Sequence, residues 1–389
     1  MKKIKLGLFG KVLIAIALGA VLGLVLPDFM VRLLKTFNAI FAQLLKFVVP
    51  LLVLGLVTPA IANMGKGAGK LLLTVLIIAY CSTILSGFFA YGGSSLALPH
   101  YLSVGELTPD TMATKEFKPF IDLKIPPVCD IMTALVLSFM IGIGIIVTKA
   151  GALKKGFDEF GNIVKIVIEK VIIPLLPVYI FTMICEMSAK GVIGALMGAG
   201  VKIIATGIVL SILYLIIQYC IAGAVAGKNP FKCLWNMLPA YFTAFSICSS
   251  SAAIPVTQKC TLRNGVSDDM AGFTIPLCGT VHMCGSTIKL ATSAVAIAFM
   301  SGMDLSFAQY ANFVLVQGVA AVAAPGVMGG VLMASVGFLE SILGFSPDQT
   351  ALVMALYLAL DGYGPACNVT GDGAITLIAE RFFGKKENA

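Results

Sequence analysis

Long apolar runs alternate with short basic connectors along the first 226 residues. The runs fall at about residues 6–26, 39–62, 71–98, 131–148, 171–185 and 203–226. Each is near the roughly 20 residues that a helix needs to cross the hydrocarbon core of a bilayer, so six spanning helices are predicted. Positive charge gathers in alternate connectors: Lys66 and Lys70, then Lys149, Lys154 and Lys155, then Lys228 and Lys232. Cytoplasmic connectors are the ones that carry such charge, which places these and the lysine-rich N-terminus inside. The longest external loop, 99–127, mixes Glu106, Asp110, Lys115, Glu116, Lys118, Asp122 and Lys124 without bias. No small-residue cleavage signature precedes Pro27, so the first run reads as a retained helix and not as a removed signal peptide.

The pattern changes after residue 228. The uncharged stretch 233–258 has Lys228 and Lys232 before it, Lys259 and Arg263 after it, and Ser249, Ser250, Ser251 and Pro255 in its middle. Basic residues at both ends predict a segment that enters the membrane and returns to the cytoplasm. The stretch 305–339 holds no charged residue, is flanked by Asp304 and Glu340, and is broken by Ala324-Pro325-Gly326. It predicts a second hairpin, entering from outside. Each hairpin is followed by a long helix with polar residues at mid-depth: 270–303 with His282 and Lys289, and 349–384 with Asp361, Asn368 and Asp372. A hairpin plus an interrupted helix thus occurs twice in opposite orientation, the sequence pattern of a transporter built from inverted repeats around a midplane site. The fold expected is all-α and polytopic: eight transmembrane helices plus two re-entrant hairpins, both termini cytoplasmic. Its divisions are 1–70 and 71–148 for helices 1–4, 149–227 for helices 5 and 6, and a core at 228–389.

Composition agrees: 59% of the 389 residues are hydrophobic and 12% charged, too few polar residues to cover a water-soluble surface. The net charge of +8 sits in the connectors, so a nucleic-acid partner is not expected. The ten cysteines are scattered singly without CxxC spacing and read as small core hydrophobes. Candidate chemistry concentrates in Asp361-Gly-Tyr-Gly-Pro-Ala-Cys-Asn368-Val-Thr-Gly-Asp372-Gly, two carboxylates and an amide in an apolar helix rich in glycine. Charged groups at that depth face a cavity, a partner or an ion path, and unwound backbone there offers carbonyls to a cation or amides to an anion.

Three motifs in order then resemble the dicarboxylate/amino acid:cation symporter family, the glutamate transporter family, over essentially the whole chain. Cys248-Ser-Ser-Ser251-Ala-Ala-Ile-Pro255-Val-Thr257 is similar to the serine-rich tip of the family's first hairpin. Pro276-Leu-Cys-Gly-Thr280-Val-His282-Met283-Cys284-Gly285-Ser286 stands where the family has a TxNMDGT-like motif, and Asn368-Val-Thr-Gly-Asp372 matches the NxxxD of its last helix. The resemblance implies a homotrimer in which a scaffold of early helices carries a mobile, elevator-type transport domain. It implies a substrate carboxylate at Ser249, Ser250 and Ser251, with Ser286 and Asn368 beside it, a substrate amino group at Asp361, and an external gate at Pro325 and Gly326. It implies transported Na+, with H+ as the alternative, at Asp372 and Asn368 and at Thr280, His282 and Met283; no cofactor is implied.

The departures sharpen the reading. The family's NMD is His282-Met283-Cys284 here, so the aspartate of a deep sodium site is replaced by a thiol. The arginine that acidic-substrate members carry aligns with Gly364, and the threonine after it with Pro365, which removes a bidentate carboxylate clamp. Lys289 lies seven residues beyond His282, two turns along one helix, and so on roughly the same face. Either it replaces the arginine and pairs with a second carboxylate of the substrate, or it pairs with Asp361 or stands in for a lost sodium ion. The first needs only charge in the right place and is the expectation. The function expected is a symporter in the cytoplasmic membrane that couples Na+ or H+ entry to uptake of a small carboxylate-bearing solute, dicarboxylate or amino acid. The rival is an uncoupled ion or anion channel on the same hairpins. An enzyme using His282, Cys284 and Asp372 is not expected, because no base and orienter accompany the thiol at recognisable spacing.

Overall fold

Proline and small polar residues set where the helices begin. The computed structural model describes residues 8–63, 70–105, 117–121, 123–129, 131–189, 193–324, 329–359 and 361–384, and every regular element among them is helical. In chain order these are α1 (Leu8–Leu22), α2 (Asp28–Asn63), α3 (Lys70–Ala97), α4 (Ile131–Thr148), α5 (Gly151–Val167), α6 (Ile173–Ala189), α7 (Ile193–Ala226) and α8 (Pro230–Asn236). Then come α9 (Leu238–Ile247), α10 (Ser250–Leu262), α11 (Asp268–Val281), α12 (Cys284–Met300), α13 (Phe307–Ala323), α14 (Gly330–Ser341), α15 (Pro347–Ala359) and α16 (Tyr363–Phe383). Asn229 caps α8 by accepting from Lys232 N at 3.1 Å, ahead of Pro230. Ser306 and Gln309 form a capping box at the start of α13, satisfying two of the donors that a helix start leaves open.

Over the described residues the six apolar runs of the first half are helical except at 23–26, beyond the end of α1, and there are two additions. α2 begins at Asp28, well before the run at 39–62, with that acid in its first turn. α5 was not visible as an apolar run because it is amphipathic, with Lys154, Lys155, Asp158, Glu159 and Lys165 interleaved among its apolar residues. A five-residue π-helical stretch, Ile168–Ile172, joins it to α6. Among the described residues three helical stretches are long and apolar enough to cross a membrane, 70–100, 198–226 and 268–300, and α15 with α16 passes the same test as a pair meeting at 65°.

The stretch 268–300 is not one helix as its continuous apolar run suggests. It is interrupted at His282 (φ −98°, ψ 106°) and Met283 (φ −121°, ψ 35°). Side chains from elsewhere take over the backbone groups freed there, which is what allows a break inside an apolar environment. Met283 N donates to Thr83 Oγ1 at 3.2 Å, and Ser86 Oγ donates to Cys284 O at 3.0 Å. A second interruption separates α15 from α16. Gly362 there allows α9 to approach, since a Cβ at this position would lie 2.2 Å from Phe245 O.

Two groups of helices result. α2 packs on α4, α5 and α6, and α1 on α6. α16 is the centre of the other group, packed against α7, α9, α10, α11 and α12, while α12 also meets α3, α7 and α15. Residues 361–377 and 284–298 are buried without exception. The 268–300 stretch is 94% buried in its apolar window, against 28% for 70–100. The former is therefore a core element, and the latter presents Leu73, Ile77, Leu85 and Leu96 outward, as a lipid-facing helix must.

Candidate functional site

Asn368 is the hub. Its Oδ1 accepts from Gly285 N at 2.8 Å and Ser286 N at 3.2 Å, closing two donors at the start of α12. Its Nδ2 faces Ser286 Oγ at 3.0 Å, Met283 Sδ at 3.4 Å and Ser250 Oγ at 3.5 Å. One amide from α16 thereby ties together the break between α11 and α12 and the first turn of α10. α12 and α16 approach closely enough for this because both carry glycine at the contact: a Cβ on Gly285 would lie 2.3 Å from Cys367 Cβ and 2.5 Å from Gly364 O.

Beside Asn368 is a cavity of about 20 Å³, lined by Cys248, Ser249, Ser250, Met283, Ser286, Gly329, Val331, Tyr357, Asp361, Pro365 and Asn368. That is room for about one water. Two helix N-termini open on it. Ser249 caps α10, its hydroxyl accepting from Ala252 N at 3.3 Å. Gly329, in the left-handed region at φ +72°, begins α14. The dipoles of two helix starts favour an anion at this point.

Lys289 and Asp361 are 0% and 1% exposed and form an ion pair. Lys289 Nζ donates to Asp361 Oδ1 and, at 3.3 Å, to Asp361 O, and it sits 3.5 Å from the ring centroid of Tyr357. This is the pairing with Asp361 named above as the second possibility for Lys289. Gly364 is a close neighbour of the pair: a Cβ there would stand 3.3 Å from Ser286 Oγ and 3.5 Å, ordinary contact distance, from Lys289 Cε.

His282 and Asp372 form a second buried pair, Nδ1 to Oδ1 at 2.9 Å. The carboxylate accepts, so the ring proton is on Nδ1 and Nε2 is left facing Ser82 Oγ at 2.9 Å. Ser82 Oγ accepts from Gln218 Nε2 at 2.7 Å. Tyr214 donates to Ser82 O at 2.6 Å. His282 therefore bonds a carboxylate instead of a backbone carbonyl. It does not share a face with Lys289, since the helix is interrupted between them. Asp372 Oδ2 and Asp361 Oδ2 are buried with no hydrogen-bond partner among the described residues.

The structure brings Ser249, Ser250, Met283, Ser286, Asp361 and Asn368 to one cavity. Ser251 follows them on α10 without lining it. Thr280 is exposed and returns its hydroxyl to Leu277 O at 2.8 Å, so it is not gathered with Met283. Pro325 and Gly326 lie outside the described residues. Among the described residues no three His, Cys, Asp or Glu side chains cluster as a metal site. Sequence reasoning passed over Ser82, Thr83, Ser86, Gln218 and Tyr357. Their signal was polarity inside runs that are otherwise aliphatic, such as Gln218 in 203–226.

The profile of the sodium:dicarboxylate symporter family matches residues 8–382. The chain is 29% identical over 347 residues to a serine/threonine transporter of Streptococcus suis, covering 85% of this chain and 93% of that protein. It is 27% identical to a serine/threonine transporter of Streptococcus thermophilus, covering 97% of each. Over 181 residues, 46% of this chain and 33% of the other, it is 35% identical to mouse excitatory amino acid transporter 3.

Proposed function

We propose, on the premise that the chain belongs to the sodium:dicarboxylate symporter family, that it is a symporter which drives a small carboxylate-bearing solute into the cell with Na+ or H+. Membership itself makes it a membrane transporter and not an enzyme, a cation-coupled carrier of amino acids or carboxylates. The observation that carries the finer reading is the convergence of two helix starts, Ser249–Ser250 and Gly329–Val331, on one cavity with Asn368, Ser286 and Asp361. Such a wall recognises a carboxylate.

In this reading α9 with α10, and α13 with α14, are the two re-entrant hairpins, and eight further spans complete a protein of the cytoplasmic membrane with both termini inside. The early helices are the scaffold of a homotrimer and the core from residue 228 is its moving, elevator-type domain, with gates at Ser250 and at Pro325 and Gly326. The cation binds through Asp372 and Asn368. The cavity holds about one water, so its walls must separate before a solute enters, as alternating access demands.

The test is uptake into proteoliposomes of labelled amino acids, monocarboxylates and dicarboxylates under imposed Na+ or pH gradients. Saturable accumulation above the equilibrium level, collapsed by dissipating one gradient, is expected. Electrogenic ion flux without accumulation of any solute would replace the symporter with a channel.

A further inference from the structure

The charge balance of the cavity wall points to a substrate class. An ammonium has three protons to place, and Lys289 directs its own to Asp361 Oδ1, to Asp361 O and towards the face of Tyr357. Lysine and aspartate together carry no net charge wherever the shared proton rests. Asp361 nevertheless lines the cavity, and its Oδ2 has no partner among the described residues. An incoming solute therefore meets, on this wall, one acceptor oxygen and no net negative charge. Around the same cavity it meets the starts of α10 and α14 with the hydroxyls of Ser249, Ser250 and Ser286.

A solute that satisfies both sets of groups has a carboxylate and, next to it, a hydrogen-bond donor. An ammonium donor would lose its water against a pair with no net charge to repay it, and with the lysine held on the same carboxylate. A hydroxyl makes the same bond to Oδ2 with no charge to desolvate. A keto oxygen cannot donate and would leave Oδ2 unpaired. We propose that this chain takes small 2-hydroxycarboxylates in preference to the 2-amino and 2-oxo acids of the same carbon skeleton. The inference rests on the transport reading above and names its substrate class.

Competition binding to the full-length protein in lipid nanodiscs tests it directly, with lactate, alanine and pyruvate as one series and 2-hydroxyglutarate, glutamate and 2-oxoglutarate as a second. In at least one series the hydroxy acid should bind about ten- to a hundredfold more tightly than either analogue, the cost of one buried group left unpaired. If in neither series the hydroxy acid binds more tightly than its amino and oxo analogues, or if all six fail to bind, the proposal is overturned. Lys289→Met frees Asp361 from the lysine so that it can pair with an ammonium, and the amino acid should then overtake the hydroxy acid; an unchanged order would also overturn it. That variant leaves a lone buried charge, so Lys289→Met/Asp361→Asn is measured alongside, and it should keep the hydroxy acid ahead of the amino acid. The two readings fail differently. Binding in the expected order without gradient-driven uptake removes the symporter, whereas gradient-driven uptake with the amino acid preferred removes only the hydroxy-acid assignment.

Discussion

Asn368 offers a substitution pair that separates stability from recognition. Its Oδ1 closes two buried backbone donors, Gly285 N and Ser286 N, and its Nδ2 faces the hydroxyls of Ser286 and Ser250 at the cavity. Asn368→Ala orphans both N–H groups at the start of α12. At about 1–3 kcal/mol for each buried donor left open, the loss is about 2–6 kcal/mol before relaxation. Asn368→Asp keeps an acceptor at the same place, and a carboxylate at a helix start is favourable. It also removes the amide donors and puts a negative charge beside the proposed carboxylate site. Thermal unfolding in detergent, followed by fluorescence-detected gel filtration, should therefore show a large fall in midpoint for alanine and a small change for aspartate. Solute affinity in nanodiscs should collapse in both, by about tenfold or more for aspartate, on the ~1.5–3 kcal/mol of a hydrogen bond to a charged group. Wild-type thermal stability in Asn368→Ala would refute the capping argument, and wild-type affinity in Asn368→Asp would refute the placement of the carboxylate.

Other perturbations follow from the same geometry. Asp372→Asn should weaken the dependence of uptake on the driving cation more than it weakens solute affinity, and a variant with unaltered ion dependence would remove Asp372 from the cation site. Gly285→Ala forces a methyl group to within 2.3 Å of Cys367 Cβ and 2.5 Å of a backbone carbonyl, so it should cost about 3 kcal/mol, the upper end for overpacking; unfolding measurements showing no loss would mean that α12 and α16 can part at no cost. In a cysteine-free background, Ser250→Cys should react with an impermeant thiol reagent from the cytoplasm, and Gly326→Cys from outside. Labelling of Ser250→Cys from outside alone would invert the orientation given to the first hairpin.

How far the sequence could be read depended on whether a feature was local. The runs at 71–98 and 203–226 declare themselves as α3 and α7 because an apolar stretch of that length has few alternatives. The burial of Lys289 was legible in the same way, from roughly ten apolar residues on either side. The interruption at His282 and Met283 was not, because the residues that sustain it, Thr83, Ser86 and Asn368, lie some 80 to 200 positions away in the chain. With the break unseen, the seven-residue spacing of His282 and Lys289 looked like one face of one helix. The partner of Lys289 was likewise undecidable, since both candidate roles need the same residue in the same helix. Only the contact with Asp361 separates them.

The two buried polar contacts share a logic that neither motif shows alone. His282 stands in the interruption between α11 and α12, and its partner Asp372 lies inside α16. Asp361 stands in the interruption between α15 and α16, and its partner Lys289 lies inside α12. Each break is thus held by a polar residue from the intact part of the other helix. A break in an apolar core persists only where its backbone groups are satisfied from outside the segment, and at Asp361 Lys289 does this in part by donating to the backbone carbonyl at 3.3 Å. Asp361 also lines the cavity, while Asp372 retains an unpartnered oxygen. A group that alters the Lys289–Asp361 contact perturbs the end of α16 nearest the cavity, and one that alters the His282–Asp372 contact perturbs its interior, eleven residues further on. Because α16 is a continuous helix from Tyr363 to Phe383, the two events act on one rigid element. On the proposed assignment of the solute to Asp361 and the cation to Asp372, both would act on α16, which packs directly on α12.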